Sequence, residues 1–217
     1  YAEDIDYFFI RSSVRLKYTE NPEEALNYFK SLDASTDRNE YLASLYGLVL
    51  AAIKVNRPNE ASAALQKLLK AYKNRISVVL LHANWLKATQ EIIEARILLR
   101  EHLERNPGNY ALSRALADVE IAFNNYDAAI AVLNTLLPRY ENVPDLWFDI
   151  AETMGLANNI VGLHQSRAEY FYHTGNSTRA LQQLKQALNK SGTNYQRSQI
   201  IENRIRQIKR DQREFNF

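Results

Sequence analysis

The residues best suited to hold a metal or shuttle a proton are four histidines, His82, His102, His164 and His173. Metal chemistry needs such groups one helical turn apart, or gathered with carboxylates and thiolates. None stands in His-x-x-x-His spacing, no His-Glu-x-x-His motif occurs, and there is no Cys. His164 and His173 lie nine residues apart, which is not a whole number of helical turns. Gly-rich phosphate loops and a Gly-x-Ser-x-Gly nucleophile elbow are absent. "NST" (176–178) and "NKS" (189–191) match the glycosylation sequon, but Asn and Ser also suit helix boundaries. Packed or solvated histidines are the expectation. The chain predicts no catalysis, no metal site and no cofactor of its own.

With no chemistry concentrated in a site, the elements become the informative level. The 217 residues are 46% apolar and contain only 6 Gly and 5 Pro, and helix formers dominate. An all-α fold follows. Net charge is +2, from 27 basic and 25 acidic side chains, and gives no nucleic-acid or membrane signature. The longest apolar run, "LYGLVLAAI" (45–53), falls short of the roughly 18–20 residues a membrane span needs. Tyr1 is not an initiator Met and no export signal precedes it, so a piece of a longer or processed chain is expected.

A repeat runs through the sequence. "NPEEALNYFKSL" (21–32), "RPNEASAALQKL" (57–68), "EIIEARILLREH" (91–102), "NYDAAIAVLNTL" (125–136) and "NSTRALQQLKQA" (176–187) align on Ala25, Ala61, Ala95, Ala129 and Ala180. Successive spacings are 61 − 25 = 36, 95 − 61 = 34, 129 − 95 = 34 and 180 − 129 = 51. Four residues after each alanine comes Phe29, Leu65, Leu99, Leu133 or Leu184, on the same helix face. The alanine admits a neighbouring backbone, and the large residue fills the groove beside it. A period near 34 with this signature is the tetratricopeptide (TPR) pattern, a helix A, a short turn and a helix B. Pro22 and Pro58 open B helices, where a missing N–H is harmless, and "TGNS" (174–177) joins a Gly stop to an Asn/Ser start.

The sequence thus predicts a single TPR solenoid of about twelve helices: 5–18, 22–33, 37–55, 58–73, 75–89, 91–105, 109–124, 126–140, 144–157, 159–174, 177–190 and 195–214. They form repeats over 5–36, 37–74, 75–107, 109–141 and 159–192, with 144–157 as an extra helix in the 51-residue gap. "YQRSQIIENRIRQIKRDQREF" (195–215) places Ile200, Ile201, Ile205 and Ile208 among charges. That is the pattern of a capping helix; contact with an acidic partner is the alternative.

Thirteen tyrosines are the compositional oddity, and Tyr supplies contact area with a polar tip. The inner surface of a TPR array is lined mainly by its A helices. The repeat frame puts Tyr46, Leu50, Asn84, Lys87, Arg114, Asp118, Gln165, Glu169 and Tyr172 there. This mixed polarity suits a protein partner. Ile10, Val14 and Leu50 stand where a clamp for chaperone C-terminal carboxylates needs polar groups, which disfavours that ligand.

"DYFFIRSSVRLKY" (6–18), followed by "NPEEALNYFKSL", resembles the entry to the C-terminal TPR region of bacterial zinc metalloproteases of the BepA type. "PDLWFDIAETMG" (144–155) and "NNIVGLHQSRAEYFYHTGNSTRALQQLKQALNKSGTNYQRSQIIENRIRQIKR" (158–210) are similar to the remainder of that region. The resemblance implies the non-catalytic half of a periplasmic protease and chaperone of outer-membrane protein assembly and quality control. Its zinc would sit in an upstream protease domain. Its partners would be that domain, the assembly machinery and unfolded outer-membrane proteins. A free-standing TPR adaptor or lipoprotein is the alternative, separated by whether the gene upstream of Tyr1 encodes an export signal and His-Glu-x-x-His.

Overall fold

Pro138 accounts for the first departure from the expected helices. A proline lacks the N–H for the carbonyl four residues back and its ring crowds that carbonyl, here that of Asn134. The helix expected over 126–140 accordingly stops as α8 (Tyr126–Asn134) and resumes as the single turn α9 (Leu137–Tyr140). The computed structural model describes residues 4–31 and 37–214. Leu32 and Asp33 of the second expected helix, the end of the first repeat at 36, and Phe215 lie outside the described residues.

Among the described residues there are thirteen α-helices and one 3-10 turn, and no strand. Unit 1, residues 1–107, holds α1 (Ile5–Tyr18), α2 (Pro22–Ser31), α3 (Arg38–Lys54), α4 (Ser62–Tyr72), α5 (Ile76–Ala88) and α6 (Ile92–Arg105). The B helix expected from 58 starts as a 3-10 turn, Pro58–Ala61, before α4. Unit 2, residues 108–217, holds α7 (Tyr110–Ala122), α8, α9, α10 (Pro144–Leu156), α11 (Ile160–His173), α12 (Ser177–Lys190) and α13 (Tyr195–Glu214). The division falls between the third and fourth expected repeats.

The alanine register is realised in both units. Ala25, Ala61, Ala95, Ala129 and Ala180 and their large partners four residues on are all buried, none more than 3% exposed. Where the Phe29 ring packs on α3, even a methyl is excluded. A Cβ on Gly47 of α3 would stand 2.4 Å from the Phe29 ring.

The turns keep the same time. Asn56, Gln90, Asn124, Asn158 and Gly175 adopt left-handed backbone, with φ of 59°, 68°, 57°, 56° and 78°. Their spacings are 90 − 56 = 34, 124 − 90 = 34, 158 − 124 = 34 and 175 − 158 = 17. Each donates its N–H to the carbonyl three residues back, Ile53, Lys87, Ile121, Gly155 or Tyr172, at 2.9–3.2 Å. Each following residue donates to the carbonyl five back, Ala52, Leu86, Glu120, Met154 or Phe171, at 2.8–2.9 Å. That pair of bonds is the Schellman stop, which satisfies carbonyls that a helix end leaves open.

The expected extra helix is α10, and the turns explain its place. Asn158 is in step with Asn124, so α10 and α11 form a hairpin in the 34-residue register. Gly175 comes half a period later, and Gly192 at φ 60° another 17 residues on. α11 therefore ends one hairpin and begins the next with α12, and the 51-residue alanine gap is one and a half repeats. Two small cores in unit 2 follow from this arrangement. One gathers Ala129, Leu133, Leu136, Leu146 and Ile150, and the other Ala168, Ala180, Leu184, Ile201 and Ile208.

Candidate protein-interaction face

Of the nine residues that the repeat frame places on the inner surface, Leu50 packs half-buried against the unit 1 core, and the other eight divide into packed and open ones. In unit 1, Tyr46 is a packing residue. Its ring stacks on Phe9 of α1, centroids 4.5 Å apart and planes within 12°, and burial pushes its phenol above the usual tyrosine range. Phe9 also meets Tyr72 edge-on at 6.3 Å. A tyrosine expected to face a partner thus closes the α1–α3–α4 contact. Asn84 on α5 is exposed and Lys87 half-exposed.

In unit 2, Glu169 and Tyr172 of α11 are turned to internal use. Arg204 of α13 grips Glu169 with both branches, Nε to Oε1 at 2.8 Å and Nη2 to Oε2 at 2.5 Å. The Tyr172 hydroxyl donates to Asp211 Oδ2 at 2.7 Å, and the Arg204 guanidinium lies 4.5 Å from the Tyr172 ring centroid. These contacts, with buried Ile201 and Ile208, hold α13 in the capping position. Gln165 is half-buried, and neighbouring His164 pairs through Nδ1 with Gln183 Oε1 at 2.8 Å.

Arg114 of α7 forms a bidentate pair with Asp149 of α10, Nη2 to Oδ1 at 3.0 Å and Nε to Oδ2 at 2.6 Å. Burial raises the Asp149 carboxyl above the usual range. Arg114 opposes that rise, while Asp118 and Asp145 add to it. The guanidinium also stands 5.5 Å from the Tyr110 ring. Asp118, one turn beyond Arg114, is exposed.

Three residues of this face escaped the frame because α10 was placed outside the repeat register. Adding 34 to positions 114 and 118 gives Phe148 and Glu152, and Asp145 lies three residues before Phe148. Phe148 is 50% exposed, with Tyr170 5.8 Å away as its aromatic neighbour. Asp145 and Glu152 are exposed, and Glu152 meets Arg167 at 3.3 Å. The 34-residue step between Asn124 and Asn158 was the signal that could have found them.

Burial depresses His82, His102 and His173, and His173 lies parallel to Trp147 at 6.4 Å. No group of three His, Cys, Asp or Glu residues among the described residues is arranged to hold a metal ion. No described helix is long and apolar enough to cross a membrane.

A family model, Tetratricopeptide repeat, matches residues 88–147. A crystal structure of a tetratricopeptide repeat protein from Parabacteroides merdae ATCC 43184 is similar in fold. It has 18% identity and a TM-score of 0.51 over 96% of this chain and 72% of that one. A structure named MamA MSR-1 has 18% identity and a TM-score of 0.45 over 85% of this chain and 92% of that one. No curated protein matches the sequence. The helical hairpins are of the TPR type, a fold that points to protein–protein interaction rather than catalysis.

Proposed function

We propose that this chain is the non-catalytic interaction region of a periplasmic zinc metalloprotease and chaperone of the BepA type, serving outer-membrane protein assembly and quality control. The observation that carries the interaction role is the division of labour across the repeat. Packing and turns consume the alanines, the large residues four positions on and the αL residues. The positions left over present exposed aromatic, charged and amide side chains such as Phe148, Asp118 and Asn84. Conspicuous side chains that the fold does not use are where recognition is found. The periplasmic and protease assignment is supported by the resemblance of residues 6–32 and 144–210 to that family's C-terminal region.

On this reading the protein partners are the chain's own protease domain, the assembly machinery and unfolded outer-membrane proteins. The reaction's zinc belongs to the protease domain, and these residues need no cofactor. Asn84, Lys87, Asp118 and Gln165 remain available for contacts, and Arg114 serves through the side of its guanidinium left open by Asp149.

The test has two arms. Sequencing the gene upstream of Tyr1 should reveal an export signal and a His-Glu-x-x-His motif; their absence would turn the reading into the free-standing adaptor. Pull-downs with purified outer-membrane assembly components should capture the chain. Failure to capture any of them, with the chain folded by circular dichroism, would refute the client class.

A further inference from the structure

The geometry points to a docking surface on α7 and α10 for an extended polypeptide segment that carries a cationic side chain beside an apolar one. This deepens the interaction role by naming the chemistry of the partner, and it rests on that reading. The apolar half of this surface is α10 itself. Phe148 is 50% exposed and Leu156 54% exposed, at positions whose counterparts on the opposite side of the helix, Leu146, Ile150 and Ala151, are fully packed. A phenylalanine left half in water on a helix gains from a partner that covers it.

Charge selects the occupant. Asp145, Phe148 and Glu152 follow one another at i, i+3 and i+7, so Phe148 is flanked along its own stripe by carboxylates. Asp118 of α7 and Asp149 of α10 complete the set, giving four carboxylates against the guanidiniums of Arg114 and Arg167. Arg114 is committed to Asp149 at 2.6 Å and Arg167 to Glu152 at 3.3 Å. Asp118 and Asp145 are exposed and have no ion pair among the described residues. Their influence on Asp149 places all three carboxylates within one electrostatic neighbourhood. An arriving Lys or Arg is therefore attracted to the rim while its apolar neighbour settles on Phe148. Anionic segments, nucleic acid and anionic lipid surfaces meet repulsion at the same place.

The segment binds extended because the partner groups sit on two different helices. Arg114 and Asp149 form the floor between them, and their mutual bond keeps the floor from collapsing or from capturing the incoming cation. Phe148, Asp118 and Asp145 are the specificity residues.

A labelled ~10-residue peptide alternating Lys, Phe and Ser, roughly 3.3 Å per residue when extended, should bind the 217-residue chain in an anisotropy titration. The same peptide with Glu in place of Lys should bind at least about tenfold more weakly. Phe148→Ala should weaken the Lys peptide about tenfold, and Asp118→Asn with Asp145→Asn about threefold. The loss in the double carboxylate variant should shrink as salt rises. Both variants change exposed side chains and should keep the parent melting midpoint. If the double carboxylate variant matches the parent, the Glu peptide binds as tightly, or the Lys peptide does not bind at all, the inference is overturned. Capture of assembly components is measured in parallel. Capture unchanged in both variants removes this surface while leaving the interaction role intact, whereas no capture by the parent removes the role itself.

Discussion

α1 and α10 present the same repeat positions to solvent and fill them with opposite chemistry. On α1 these are Tyr7, Ile10, Val14 and Tyr18, exposed by 57%, 63%, 46% and 77%. On α10 the equivalents are Asp145, Phe148, Glu152 and Leu156. The buried faces behind them are alike: Phe8, Phe9 and Leu16 on one, Leu146, Ile150 and Ala151 on the other. The contrast separates two kinds of constraint. Positions that build the hairpin stack hold apolar residues sized to fit, whereas the outward positions of the two helices differ in chemistry, and on the proposed reading that chemistry is free for recognition. The way each first helix is fastened differs too. In unit 1, Asp6 of α1 accepts from Arg75 at 2.9 Å and from Ser77 Oγ at 2.6 Å, and Arg75 holds the Asp6 carboxyl below the usual range. In unit 2, Arg114 and Asp149 join α7 to α10 in the middle of the exposed face.

If the framework is common to both units, equal damage to it should cost the same in each. Ala61→Leu in unit 1 and Ala180→Leu in unit 2 place extra methylenes where exposure is 0%, and each should cost about 1–3 kcal/mol. Denaturant titration checks this. A harmless Ala180→Leu beside a damaging Ala61→Leu would mean that the half-period shift in unit 2 relaxes its packing.

The turns sharpen the comparison with a gain rather than a loss. Gln90 alone among the five αL turn residues is neither Asn nor Gly, and it carries a Cβ through a region that disfavours one. Gln90→Gly should stabilise the chain by about 1 kcal/mol, and Asn158→Gly by less, because Asn tolerates that backbone. Melting curves of the two variants decide it.

Acid should weaken the fold through its buried and half-buried histidines. His82, His102 and His173 have folded-state pKa values below the ordinary 6.5. As pH falls through that value the unfolded chain takes up protons that the folded chain refuses, so stability falls with pH. The melting midpoint should drop between about pH 7.5 and 5.5, and a His82→Gln, His102→Gln double variant should show a shallower drop.

Smallest of all should be the effect of the faces on folding. Ile10→Ser on α1 and Asp145→Asn on α10 should each stay within about 0.5 kcal/mol of the parent. A larger loss at Ile10 would move the α1 stripe into the framework.

Much of this framework was legible. The alanines and their partners four residues later located α2, α4, α6, α8 and α12, because close helix packing leaves a mark in residue size. Gly175 marked its turn for a different reason, the left-handed backbone at φ 78° that glycine adopts without strain. Asn56, Asn124 and Asn158 were less visible as turn residues, since Asn equally opens helices, as Asn109 and Asn176 do here. Gln90 carried no turn signal at all. Pro138 did announce the break after Asn134, but the apolar periodicity through 126–140 outweighed it. The exposed face was read less well. Tyr46 has the composition of a contact residue and the environment of a core one, and only the approach of Phe9 distinguishes them. Glu169 and Tyr172 were assigned to a partner, whereas their companions are Arg204 and Asp211, 35 and 39 residues away. Pairings at that range leave no local period. Phe148 was missed through register, not through chemistry.

Site-specific photo-crosslinking to a captured partner tests most directly whether the outward A-helix positions, rather than the B helices, carry recognition. Photoreactive residues would replace Asp118 and Phe148 on A helices, and Gln66 and Gln186, exposed on the B helices α4 and α12. The account predicts crosslinks from Asp118 and Phe148 and none from Gln66 or Gln186. Crosslinks confined to Gln66 and Gln186 would contradict it.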